Sequence, residues 1–165
     1  MKSLLSFLFL VGLILNVTAQ ERNIQHLDNL LTQWHQAASE ADFETYTNLM
    51  TADAVFIGTD ATENWKGQAF RDFAKPYFDR GKAWSFSKLE RHIFFNTEEN
   101  TAWFDELLST QMGICRGSGV LLQTESGWKI AHYVLSIAVP NEHVDALTKL
   151  KQTQDQQLIE KLKNN

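Results

Sequence analysis

The sequence predicts an α+β fold, with helices along its first half and a curved four-stranded antiparallel sheet folded against them. Three observations carry that prediction. Apolar residues recur at helical spacing through the first part of the chain, and from Ala83 onward the apolar period changes to two. Turn-forming stretches at 96–100, 110–113 and 125–127 separate the alternating segments. Strands joined by links this short must run antiparallel.

Ile24, Leu27, Leu30, Leu31, Trp34 and Ala38 fall on one face of a helix over residues 23–39. Asp42 is placed to cap a second, short helix holding Phe43, Tyr46, Leu49 and Met50. Val55-Phe56-Ile57 reads as a brief strand ending at Gly58, and "GTDATENW" follows as a turn and a short strand around Trp65. Phe70, Phe73, Ala74, Tyr77 and Phe78 predict a third helix with one aromatic face, bent or ended at Pro76. Strands follow over 83–95, 101–109, 114–124 and 128–139. Pro140-Asn141-Glu142 opens a last helix, with Asn141 as N-cap and lysines near its far end, where the helix dipole favours them. Its apolar stripe of Val144, Leu147, Leu150, Leu158 and Leu162 is interrupted at Gln154, so its far end is read as frayed or packed on a partner. Helices covering one face of a bent sheet make a cone with an apolar interior.

Ahead of this unit, Lys2 is followed by the apolar run Leu4–Leu15 and by Val17-Thr18-Ala19, with small residues at the positions a signal peptidase reads. This predicts a cleavable signal peptide over 1–19, cut after Ala19, and a periplasmic or secreted protein. The alternative is an uncleaved anchor, but the run falls short of the ~20 apolar residues of a membrane span. No later segment reaches that length, so no membrane span is expected in the mature chain. The domain is bounded at 20–140, with 141–165 as a C-terminal helix. The net charge is −5, with lysines and arginines scattered and no basic stripe, which excludes a nucleic-acid partner. Cys115 is the sole cysteine, so no intrachain disulfide is possible; its apolar, glycine-rich strand predicts a buried, inert thiol.

The stretches "DAVFIGTDATENWKG", "TAWFDE", "CRGSGVL" and "GWKIAHYVLSIAVPN" resemble the SnoaL-like branch of the nuclear transport factor 2-like superfamily, over nearly the whole mature chain. The resemblance implies a cone-shaped α+β barrel, a pocket at its open end and a homodimer through the sheet face. Members of that superfamily include polyketide cyclases, ketosteroid isomerase, dehydratases and kinase association domains, so the fold does not select an activity. Isomerase-like members place a carboxylate base at the end of the first strand, which aligns here with Gly58. The expected base is missing or displaced.

The acidic residues of "GTDATENW" read first as a turn, since Asp60 and Thr62 bond readily to nearby backbone. Asp105 is in phase with Trp103 and Leu107, and Arg116 lies near its level on the next strand. Inside a cone they would form either an oxyanion anchor with its base or a structural ion pair at the rim. The resemblance places Arg116 where many relatives carry a pocket arginine, and puts a histidine at the position of Val134. His132 lies on the same side of that strand and is a candidate base, a dimer-interface residue or a structural histidine. Tyr133 points the opposite way, so only one of His132 and Tyr133 faces the pocket. Phe56, Trp65, Tyr77, Trp84 and Trp103 are the aromatic candidates for lining it, with ordinary core packing as the alternative.

No cofactor or metal is expected. Glu90-x-His92 lacks a third ligand, and His26 and His35 are not one helical turn apart. "RGSG" at 116–119 lies within a strand, where its glycines permit sheet bending or close approach of another chain. The leading functional expectation is an exported domain binding a small organic molecule. The alternatives are a cyclase, isomerase or lyase working by acid–base chemistry with Asp105 or His132, and a dimeric assembly module.

Overall fold

A computed structural model describes residues 21 and 23–164; the expected signal peptide at 1–19 lies outside the described residues. The first helix, α1, covers residues 23–39 and buries Leu27, Leu30, Leu31, Trp34, Ala37 and Ala38 along one stripe. It stops where Ala41 takes a positive φ of 58° and the Asp42 amide bonds back to the Ala37 carbonyl at 2.8 Å. Asp42 then caps α2 (Phe43–Asn48), its carboxylate accepting from the Thr45 amide at 3.0 Å.

Strand β1 runs from Met50 to Ile57, five residues earlier than the apolar run suggested. The added segment "MTADA" carries no strand signal of its own. It is extended because the C-terminal strand lies parallel beside it, with Met50 opposite Ile130 and a register shift before Val55. Strand β2 (Asn64–Lys66) pairs antiparallel with β1. Helix α3 (Gln68–Asp79) passes through Pro76 and ends three residues beyond it. The proline thus falls in the last turn, and the helix ends soon after it.

The meander is β3 (Ser87–Phe95), β4 (Thr101–Thr110), β5 (Gly113–Thr124) and β6 (Gly127–Ile137), antiparallel throughout, in a sheet of order β2-β1-β6-β5-β4-β3. Residues 83–86 are not strand. Trp84 and Phe86 both pack toward the core, which produces the period-two pattern without a ladder. After Pro140 a single 3-10 turn (Asn141–His143) leads into α4 (Val144–Lys163), and no side chain caps it, so Asn141 is not the N-cap it was expected to be. Helix α4 buries none of its residues, and Leu150 is 78% exposed.

Helices α1–α3 lie on the inner face of the sheet, which is lined by alternate residues. Along β5 these are Cys115, Gly117, Gly119 and Leu121. The space beside the two glycines is taken by the chain itself, by side chains at Gly117 and by the His132 carbonyl and the Phe104 ring at Gly119. A Cβ at Gly117 would stand 2.4 Å from the Tyr133 hydroxyl and 2.7 Å from Glu106 Oε1, and one at Gly119 would stand 2.8 Å from the Phe104 ring. Neither glycine has a positive φ, so a substitution there acts by overpacking alone. Gly117→Ala is expected to destabilise the fold by about 1–3 kcal/mol. Urea denaturation would read this as a lowered midpoint at unchanged m-value.

Candidate functional site

The phase of β4 is the reverse of that expected. Ala102, Phe104, Glu106 and Leu108 point inward and are buried, while Trp103, Asp105 and Ser109 point outward and are exposed. Alternation alone cannot choose between the two faces, because Trp103 on one and Phe104 on the other are equally apolar. Asp105 therefore lies outside the cone, where His92 Nδ1 contacts its Oδ1 at 3.0 Å. That hydrogen bond raises the exposed His92 above the usual histidine range. Arg116 is exposed on the same outer face, opposite Leu107 and Ser136, and makes no ion pair with Asp105. His132 also faces outward, opposite Val55 and Val120. Of the pair left open by the sequence, Tyr133 is the one that enters the interior.

The inward charge that sequence reading overlooked is Glu106, in phase with Phe104 and Leu108. Its side chain is fully buried, and that of its cross-strand partner Arg91 is only 1% exposed. Glu106 Oε1 accepts from the Tyr133 hydroxyl at 2.9 Å and from His35 Nε2 at 2.8 Å. Its Oε2 accepts from Arg91 Nε at 2.8 Å, with Arg91 Nη2 at 2.7 Å. Arg91 Nη1 continues to the Asp28 carbonyl and carboxylate on α1, and Lys88 Nζ closes the chain on Asp28 at 2.8 Å. Charges thus alternate from core to surface, and helix α1 is tied to β3 and β4. Burial alone would raise the Glu106 carboxyl. The His35 hydrogen bond, with the charges of His35 and Arg91, outweighs that and holds it below the usual glutamate range. Tyr133 is pushed well above the usual tyrosine range by burial and by the Glu106 charge, so it remains a donor.

A fully buried carboxylate that already accepts three hydrogen bonds and faces a guanidinium is out of a substrate's reach. The space for one lies elsewhere, at the open end. There Phe56, Trp65, Phe73, Tyr77, Trp84 and Phe86, with Met112 and Leu135, line a cavity of about 150 Å³ whose polar rim is Thr59, Glu63 and Gln111. A more polar groove of about 460 Å³, lined by Lys82, Ser85, Ser87, Ser109 and Thr110, adjoins it and shares Trp84 and Gln111. Of the aromatic candidates, Phe56, Trp65, Tyr77 and Trp84 meet at the cavity. Trp103 does not; it stacks on Phe94 outside the sheet. Tyr133 lies behind the cavity, 5.5 Å from the Phe56 ring centroid.

"GTDATENW" is a built turn. Asp60 Oδ1 accepts from the Thr62 amide at 2.8 Å and hydroxyl at 2.5 Å, which holds that exposed carboxyl below its usual range. The Gly58 amide donates to the Glu63 carbonyl at 3.0 Å, and the Asp60 amide to Glu63 Oε2 at 3.2 Å. The Glu63 carboxylate folds back over Gly58 and takes the space a side chain there would need, since a Cβ would stand 2.1 Å from Glu63 Oε2. A carboxylate therefore does reach the mouth of the cone beside the end of β1, delivered from five positions further along. Among the described residues no cluster of three or more His, Cys, Asp or Glu is arranged to hold a metal ion.

Glu106→Gln would put an amide group among the donors that now converge on a carboxylate. It is expected to cost about 3–5 kcal/mol at neutral pH. Because the folded Glu106 titrates below its unfolded value of about 4.3, its stabilisation is full above that value and is lost as pH falls through the lower, folded one. Urea midpoints measured from pH 7 down to pH 3 should therefore fall more steeply in this acid window for the wild type than for Glu106→Gln.

The profile of the SnoaL-like domain family matches residues 27–140. No curated protein sequence matches the chain. Among solved structures, an NTF2-like protein of unknown function from Pseudomonas putida KT2440 is 16% identical, with 76% of this chain and 91% of that one covered and a TM-score of 0.61. A candidate dehydratase of the NTF2-like family from Streptomyces avermitilis is 14% identical, with 73% and 99% covered and a TM-score of 0.62. A candidate aromatic ring hydroxylase from Novosphingobium aromaticivorans is 19% identical, with 69% and 87% covered and a TM-score of 0.56. At these identities the likeness to solved structures is one of fold. The match of the family profile over most of its length makes this chain a member of the SnoaL-like family, with a fold shared with NTF2-like proteins.

Proposed function

We propose that this SnoaL-like domain is exported, dimerises through the outer face of its sheet, and binds a small, partly apolar organic molecule in the aromatic cavity. The observation that carries the binding reading is the cavity itself, which is concave, largely aromatic and rimmed by a few polar groups. At about 150 Å³ it is smaller than the roughly 300–1,000 Å³ pockets of drug-sized ligands, so the guest is small or inserts one group only. Export rests on the composition of residues 1–19. Dimerisation is supported by apolar side chains on the outer face of the sheet, where Phe94, Trp103, Ile114 and Leu122 are exposed.

One observation favours an acid–base enzyme as the second reading. The Glu63 carboxylate stands beside Gly58 at the cavity rim, where a base would meet a bound substrate. In that reading Glu63 is the base, and Asp105 and His132, on the far side of the sheet, have no part in the chemistry.

Trp65 and Trp84 line the cavity, so a guest is expected to change intrinsic fluorescence. A fluorescence titration against a panel of small organic molecules should yield a saturable response that Tyr77→Ala weakens by about tenfold, the loss of one aromatic contact. Asp105→Asn and Arg116→Ala should leave the affinity unchanged. A panel with no saturable response, or one abolished by the outer-face substitutions, overturns the binding reading. Sedimentation should find a dimer that Trp103→Glu converts to monomer.

A further inference from the structure

Five of the cavity's aromatic side chains form a closed ring. Phe56 lies 6.5 Å from Trp65 between ring centroids, Trp65 3.9 Å from Phe73, Phe73 5.3 Å from Tyr77, Tyr77 6.4 Å from Trp84, and Trp84 6.3 Å from Phe56. The members come from three separate parts of the fold: β1 and β2, helix α3, and the segment before β3. Each aromatic face carries the negative side of a quadrupole; Trp65 and Phe73 stack on each other and Phe56 on Phe70, so a group in the cavity meets π-density from the faces those pairs leave free and from Tyr77 and Trp84.

The rim adds a charge of the same sign. Among the described residues Glu63 lines the cavity, and no lysine or arginine does. Among the described residues Glu63 forms no ion pair, and the bond its carboxylate accepts comes from the Asp60 amide. That bond and the missing side chain at Gly58 hold the carboxylate in place over the mouth. Among the described residues the cation that does reach the ring is Arg80, whose guanidinium lies 4.6 Å from the Tyr77 centroid without lining the cavity. Lys82 lines the neighbouring polar groove instead.

A neutral apolar guest has no use for an unpaired carboxylate, and an anion would be repelled by both the carboxylate and the ring faces. We propose that the ring, closed by Glu63, is a cage for a small organic cation, with a methylated ammonium head group as the chemical class it accepts. A quaternary head group of this class keeps its charge at every accessible pH, sheds its weakly held hydration readily, and presents methyl groups that pack on aromatic faces. The size of the cavity suits one such head group, with any remainder of the molecule leaving past Gln111 and Thr59. This inference rests on the cavity being a small-molecule site and adds the sign of the guest's charge.

The test compares choline with its uncharged isostere, 3,3-dimethylbutan-1-ol, by calorimetry and by fluorescence of the cavity tryptophans. Choline is expected to bind about tenfold more tightly or better, the scale of a desolvated cation–π contact. Glu63→Gln should reduce choline binding and leave the alcohol unaffected. Tyr77→Leu, which keeps apolar bulk but removes a π-face, should do the same, and it provides an independent reading if Glu63→Gln does not fold. Equal binding of the two probes would overturn the cation inference while leaving the small-molecule reading intact. A preference for choline that survives both substitutions would place the cation elsewhere and overturn it as well. Failure of both probes, with no tryptophan response to any small organic molecule, would remove the cavity reading along with it.

Discussion

Glu106 is a carboxylate placed where no water reaches, and the rest of the cone is arranged around keeping it charged. Transfer of an isolated carboxylate into an apolar interior is far too costly to persist, so the charge must be paired and its lone pairs satisfied. Arg91 supplies the opposite charge from directly across the β3–β4 ladder. His35 reaches it from α1, and Tyr133 from β6 across the gap left by Gly117. Three elements, α1, β3 and β6, thereby converge on two oxygen atoms of β4. A buried pair of this kind is weak support for net stability, since a well-packed apolar replacement can match it. Its value is positional: no register shift of β4 or β5 and no rotation of α1 keeps every donor in reach.

That convergence divides the interior. The closed part of the cone is filled by the polar cluster and by the aromatic packing of Trp34, which stacks on Tyr46 at 4.9 Å and meets Tyr133 edge-on at 4.8 Å. The open part begins where Phe56 and Phe86 turn their other sides to the cavity; Phe86 also contacts the His35 ring at 5.8 Å. The site and the structural cluster are thus separated by a single layer of aromatic rings. No atom of Glu106 lines the cavity. The chemistry available to a guest is accordingly aromatic rings and one rim carboxylate, not the buried carboxylate behind them.

Much of this was legible in the chain. The α1 stripe from Leu27 to Ala38, the Asp42 cap, the aromatic face of α3 and the period-two meander follow from local spacing, and together they specify the α+β cone. The acidic turn at Asp60–Glu63 was legible too, because side chains bonding to their neighbours' backbone is a local property. Less legible was the strand character of Met50–Ala54, which exists only because β6 lies alongside. The strand-like alternation at Ala83–Phe86 misled for the complementary reason, since two inward aromatic residues imitate a ladder where none forms.

The site depended on a binary choice that sequence does not contain. On β4, Trp103-Phe104-Asp105-Glu106 offers one aromatic residue and one carboxylate to each face, and either phase satisfies alternation equally. The chain by itself determined the elements, their order and the supply of aromatic and acidic residues, because these follow from spacing and from contacts within a few residues. Tertiary structure alone decided that Glu106 turns inward and Asp105 outward. Only inside are Arg91, His35 and Tyr133 close enough together to offset the cost of burying that charge.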